Sequence, residues 1–181
     1  MPAKPAPPAA KHKKKPVTRD EKIAAVMAGE LTFAEAMGLT RTEAYGMAFV
    51  AHRWFSFGQV VRAKRILEGL IVANPKDAYF HALLGGICGR EGNDEEALKH
   101  YDEAIKLDSK NLTARVNRAD LLLRKGNLGK ALEDLVAATK LDPKGKTPLG
   151  KRALVLARTT SSALHAVLKK RAAAKAAAPR R

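Results

Sequence analysis

The strings VAHRWFSFGQVVRA at residues 50–63, LGGICGREGNDEEA at 84–97 and RADLLLRKGNLGKA at 118–131 are one pattern written three times, 34 residues apart. Gly58, Gly92 and Gly126 form one column of it. Seven residues before each glycine stands a small residue, Ala51, Gly85 or Ala119, and five after it stands Ala63, Ala97 or Ala131. Leu67, Tyr101 and Leu135 follow at nine, Leu70, Ala104 and Ala138 at twelve, and Asn74, Asp108 and Asp142 at sixteen. A shared register without insertion over three units is the mark of a solenoid whose units cannot bury their apolar faces alone.

The columns describe a helical hairpin. Small residues on both helices let the backbones approach, and the larger residue beside them fills the gap. The glycine ends the first helix in a left-handed conformation, and Asn93 with Glu96 predicts a capping box that starts the second. Pro75 and Pro143 stand where one unit ends and the chain turns. A helix–turn–helix unit of 34 residues with these columns is identified as the tetratricopeptide (TPR) repeat. The fold class is therefore all-α, with three tandem TPR hairpins forming a short superhelix between an N-terminal helix and a C-terminal capping helix. The repeats are placed at 44–77, 78–111 and 112–145, and the caps at 19–43 and 146–171.

In the N-terminal cap, Thr18 with Glu21, Thr32 with Glu35 and Thr40 with Glu43 each match a Thr-x-x-Glu capping box. They predict short helices from about Asp20 and Thr32, and the first repeat after Thr40. Beyond Pro148, the apolar positions Leu149, Leu154, Leu156, Ala157, Leu164, Val167 and Leu168 predict one closing helix, with Lys169, Lys170 and Arg171 in its last turn.

The net charge of +16 suggests nucleic acid until its distribution is considered. Residues 1–19 carry six positive charges and 169–181 another six, with no acid in either, which leaves +4 for the middle of the chain. Residues 1–18, mostly Pro, Ala and Lys, are expected to be a disordered basic tail, and 172–181 an Ala-rich basic tail that frays from the last helix. Such tails can touch nucleic acid non-specifically but read no sequence. No apolar run approaches the roughly 20 residues of a membrane span. The single cysteine, Cys88, cannot form an internal disulfide, so a cytoplasmic protein is expected.

Residues that carry chemistry are scattered. His12, His52, His81, His100 and His165 show no metal-ligand spacing, so neither metal nor cofactor is expected. Cys88 reads as a small buried thiol with no histidine placed to activate it, and Gly85, Gly86 and Gly89 fall within a helix as a groove floor rather than a phosphate loop. No constellation suggests an enzyme. A concave surface remains, lined by the first helix of each hairpin. Tyr45, Ala48, His52 and Phe55 are expected there from the first repeat, Tyr79, Ala82, Gly86 and Arg90 from the second, and Thr113, Val116, Asp120 and Arg124 from the third. Small floor residues between aromatic walls suit an extended peptide with apolar anchors. Phe49 is expected to pack on the N-terminal helices instead.

From about Ile23 to Arg158 the chain resembles the class II type III secretion chaperones, the LcrH/SycD family. The likeness rests on an N-terminal helix, then Leu31-Thr32-Phe33-Ala34-Glu35 and Gly38-Leu39-Thr40. It continues through three repeats with Leu84-Gly85-Gly86-Ile87-Cys88 and Ala119-Asp120-Leu121-Leu122-Leu123, and one closing helix. The resemblance implies a chaperone that holds a hydrophobic translocator segment in its concave groove, with pocket positions falling on Ala48, His52 and Phe55, of which Phe55 keeps the aromatic. The N-terminal helices are the place where a homodimer would form. The alternative is a TPR scaffold associated with nucleic acid or another assembly through its basic tails. The Lys, Asn and Arg pattern of the carboxylate clamp is absent, so heat-shock chaperone binding is not expected.

Overall fold

The computed structural model describes residues 18–177, with side chains to residue 172. Of the predicted tails at 1–18 and 172–181, residues 1–17 and 178–181 lie outside the described residues. The chain divides into two compact units, residues 1–40 and 41–181.

The first unit is a pair of short helices, α1 (Arg19–Met27) and α2 (Phe33–Met37). Both begin with the predicted capping boxes: Thr18 Oγ1 accepts from the Glu21 amide and Thr32 Oγ1 from the Glu35 amide, while each glutamate accepts from the threonine amide in return. Those contacts satisfy amides that the first helical turn leaves without partners. The threonine hydrogen bonds also hold the Glu35 carboxyl below its usual range. Among the described residues of this unit Ala34 is the buried one, whereas Ile23, Met27, Phe33 and Met37 are exposed, Met27 by 85%.

The second unit holds three hairpins and one closing helix. These are α3 (Arg41–Ser56) with α4 (Val60–Ala73), α5 (Ala78–Arg90) with α6 (Asp94–Leu107), α7 (Leu112–Arg124) with α8 (Leu128–Leu141), and α9 (Pro148–Ala177). Helix α3 starts three residues before the repeat boundary read from the columns. Gly58, Gly92 and Gly126 have φ of 78°, 82° and 73°, the left-handed region that favours glycine. Behind Gly58 and Gly126 the chain closes a Schellman turn, in which Gln59 N–H reaches the Trp54 carbonyl and Asn127 N–H the Leu122 carbonyl, each at 2.8 Å.

The small columns are the hairpin contacts. Ala51, Ala119, Ala63, Ala97 and Ala131 are fully buried, and Leu67 and Leu135 with them. Burying each such leucine contributes about 1.5–3 kcal/mol. The middle hairpin solves the same packing differently. A Cβ on Gly85 would lie 2.8 Å from the Tyr101 ring, so the larger side chain from α6 requires glycine on α5.

One capping expectation is corrected. Asn93 makes no side-chain cap to α6, and Glu96 reaches Lys64 of α4 at 3.4 Å instead of returning to the Asn93 amide. Packing between hairpins competes for this carboxylate and wins, and the ammonium holds Glu96 below its usual range against the opposing effect of burial. The Asn pattern does cap the next hairpin, where Asn111 accepts from Ala114 and Asn127 from Lys130.

Charged groups tie α6, α7 and α8 together. Asp134 is 2% exposed and receives Arg118 in a two-pronged contact of 2.7 and 2.6 Å, with Arg115 at 3.3 Å, while Arg118 also holds Asp102 at 2.6 Å. At the α8–α9 turn, Asp142 accepts from the Lys146 and Thr147 amides and from the Thr147 hydroxyl, which together hold its carboxyl below the usual range. A Cβ on Gly150 would overlap that carboxylate, so the turn needs glycine there.

Helix α9 covers the last hairpin through Leu149, Ala153, Leu156 and Ala157. Its length departs from the sequence reading: the backbone stays helical to Ala177, where fraying was expected from Ala172. The Ala-rich run has high helix propensity, which is enough to carry the backbone on as a helix. Lys169, Lys170 and Arg171 therefore do not form the last turn. Leu154, Val167 and Leu168, predicted to pack, are exposed.

Candidate functional site

Two clefts open on the second unit where the first helices of the hairpins come together. The larger, about 470 Å³, lies at the starts of α3, α5 and α7 and includes Arg41, Tyr45, Asp77, Tyr79 and Asn111. Here Tyr45 and Tyr79 stack face to face, 5.3 Å apart and 2° from parallel. Tyr45 also donates to Asp77 at 2.9 Å and accepts from Arg41 at 3.3 Å. Burial, followed by the charges around Tyr45 and Asp77, pushes the Tyr79 hydroxyl above its ordinary pKa. The pair is thus a locked aromatic shelf with polar ends.

The second cleft, about 410 Å³, runs between α5, α7 and α9 over a floor of Gly86 and Gly89. Tyr101 crosses beneath Gly85 from α6 and presents its hydroxyl to this floor, beside Asn117. Burial pushes that hydroxyl to a pKa of about 12, so it is a neutral donor and acceptor. Arg90, Arg124 and Arg152 rim the cleft. Each has a partner: Arg90 lies 4.9 Å from the Phe55 ring centroid, Arg124 pairs with Asp94 at 3.2 Å, and Arg152 pairs with Asp120. A backbone laid on the glycine floor would meet the Tyr101–Asn117 pair below and guanidinium groups at the sides.

The expected groove residues divide accordingly. Gly86, Arg90, Asp120 and Arg124 line one cleft, and Tyr45 and Tyr79 the other. Phe55 joins through Arg90, and His52 is exposed outside both. Ala48, Ala82 and Val116 are a correction, because they are buried. Val116 packs with Ala119, Ala131, Leu135 and Ala153 in the third hairpin and offers nothing to a ligand. Asn117, Tyr101 and Arg152 were missed. The only signal for Tyr101 was a tyrosine in a leucine column opposite a glycine in an alanine column, and Arg152 requires the register of α9.

Cys88 is a buried thiol, as read, but its surroundings differ from the reading in one respect. The hairpin does bring a histidine near it, since a ring nitrogen of His100, the Cys88 sulfur and a Glu96 oxygen lie within 4.8 Å of one another. Burial first, then the Glu96 charge, raises the thiol to about 11, so it is not an activated nucleophile.

A family model described as "TPR repeat" matches residues 85–126, and one described as "Tetratricopeptide repeat" matches 112–144. The array is a run of tetratricopeptide repeats. The first TPR hairpin lies outside both matches and keeps the same columns. Solved structures share this TPR fold. A type III secretion complex from Aeromonas hydrophila is 20% identical, with a TM-score of 0.68 over 79% of this chain and 97% of that one. The Yersinia enterocolitica type III secretion chaperone SycD, in complex with a peptide of the translocator YopD, is 22% identical, with a TM-score of 0.60 over 68% and 95%. The first TPR of Spaghetti (RPAP3), bound to an HSP90 peptide, is 17% identical, with a TM-score of 0.61 over 70% and 96%. No curated protein matches the chain significantly in sequence.

Proposed function

We propose that this protein is a cytoplasmic peptide-binding TPR chaperone or adaptor, of the type III secretion translocator kind, that holds an extended client segment in its concave clefts. The observation that carries the reading is the cleft over Gly86 and Gly89, floored by backbone and the Tyr101–Asn117 pair and rimmed by arginines. A client main chain supplies the carbonyls and amides such a floor accepts, and its apolar side chains reach Phe55 and the Tyr45–Tyr79 shelf. SycD, with the same fold, binds a translocator peptide.

The test uses Gly86→Leu. A Cβ at Gly86 meets only the Tyr101 hydroxyl at 3.8 Å, so the fold accepts a side chain that then fills the cleft. The expected result is a discrete protein partner retained by the full chain at high salt and bound at least tenfold more weakly by Gly86→Leu, about 1.4 kcal/mol. Phe55→Ala with Tyr79→Ala weakens it likewise. Recovery of nucleic acid alone, lost as salt rises, would overturn the reading and favour the tail-mediated scaffold.

The N-terminal helices fit a homodimer contact, because Ile23, Val26, Met27, Phe33 and Met37 line an exposed apolar groove of about 620 Å³ within that unit. Sedimentation should find a dimer that Met27→Glu with Met37→Glu converts to monomer; a wild-type monomer at all accessible concentrations rejects this assembly.

A further inference from the structure

Beyond the clefts, one set of metal-binding side chains converges among the described residues. It lies in the second hairpin, where α5 contributes Cys88 and α6 contributes Glu96 and His100, one helical turn apart. Their donor atoms lie within 4.8 Å of one another. A tetrahedral zinc site spaces its ligands about 3.4–3.6 Å apart, so small side-chain adjustments close the set.

The tautomers favour an ion. His81 Nε2 lies 3.0 Å from the Pro75 carbonyl, which can only accept, so His81 carries its proton there. His81 Nδ1 is then an acceptor, and His100 Nδ1, 3.3 Å away, must donate to it. This relay leaves His100 Nε2 as the nitrogen with the lone pair. It is the arrangement by which an outer partner orients and polarises a ligating imidazole. The neighbourhood already holds a cation, since the Lys64 ammonium lies 3.4 Å from Glu96 and 3.5 Å from Glu91.

We propose that Cys88, Glu96 and His100 form a binding site for one zinc-class divalent ion, oriented by His81 and opposed by Lys64. A thiolate, an imidazole and a carboxylate are a donor set suited to Zn²⁺, with water as the fourth ligand. As the ion binds, the S–H bond breaks, its proton goes to solvent and the sulfur electron pair forms the metal–sulfur bond. The ion stays divalent and no electron is transferred. Lys64 keeps its proton and turns to Glu91.

The test is titration of the untagged full-length protein with Co²⁺, read by absorption. One equivalent should produce the bands of tetrahedral cobalt together with thiolate-to-cobalt charge transfer, and Zn²⁺ should remove both while raising the Tm. Cys88→Ser should abolish the charge-transfer band. His81→Phe, which cannot touch the ion, should lower affinity about tenfold, and Lys64→Gln should raise it. Absence of a cobalt–thiolate band in the wild-type protein, or its persistence in Cys88→Ser, overturns the site whatever the variants do to folding. Neither outcome bears on the peptide clefts, which Gly86→Leu tests separately.

Discussion

Asp134→Ala should lose about 3 kcal/mol of stability and lower the Tm by about 10 °C. The Asp134 side chain is only 3% exposed and takes two short hydrogen bonds from Arg118 and a longer one from Arg115. Removing it leaves a guanidinium whose side chain is 22% exposed, with a partner only at its outer edge. A buried charge stripped of its counter-ion costs far more than the intact pair contributes. Asp102 provides the internal comparison, because it binds the same arginine at 2.6 Å from a side chain that is 63% exposed. Asp102→Ala should change stability by less than about 1 kcal/mol, as expected of a solvent-screened pair. Denaturant melts of the two variants decide the matter, and equal losses would show that burial does not set the strength of this network.

Gly85→Ala should destabilise the protein by about 1–2 kcal/mol, although alanine is the better helix former by about 1 kcal/mol. The added methyl would meet two Tyr101 ring carbons at 2.8 and 2.9 Å, and the buried ring has little room to retreat. In a Tyr101→Leu background the sign should reverse, because leucine opposite alanine is the packing of the first and third hairpins. The expected coupling in a double-mutant cycle is at least 1 kcal/mol; additive effects would sever the two positions. Tyr101→Leu also removes the hydroxyl at the cleft floor, so the repaired core should still bind client more weakly.

The hairpins were legible in the sequence because they are repeated and local. A glycine with positive φ ends α3, α5 and α7, small residues recur at fixed distances on both sides of it, and steric contact between two helices needs nothing more distant. The capping boxes at Thr18 and Thr32 were legible for the same reason, since both partners lie within one helical turn. The box at Asn93 failed because Glu96 had a choice that local sequence does not display, a lysine 32 residues away.

Three tandem hairpins with flanking helices, a charge balance concentrated at the ends, and a surface suited to binding follow from residue order alone, because each depends on spacings of one to 34 residues. Tertiary structure alone decided which lining positions are open. Helix packing buries Val116, Ala48 and Ala82, while Asn117 and Arg152 join the cleft from α7 and α9. It also decided that Arg118 finds Asp134 and that Cys88, Glu96 and His100 converge. Those meetings depend on how one helix sits against another, which a 34-residue period does not encode.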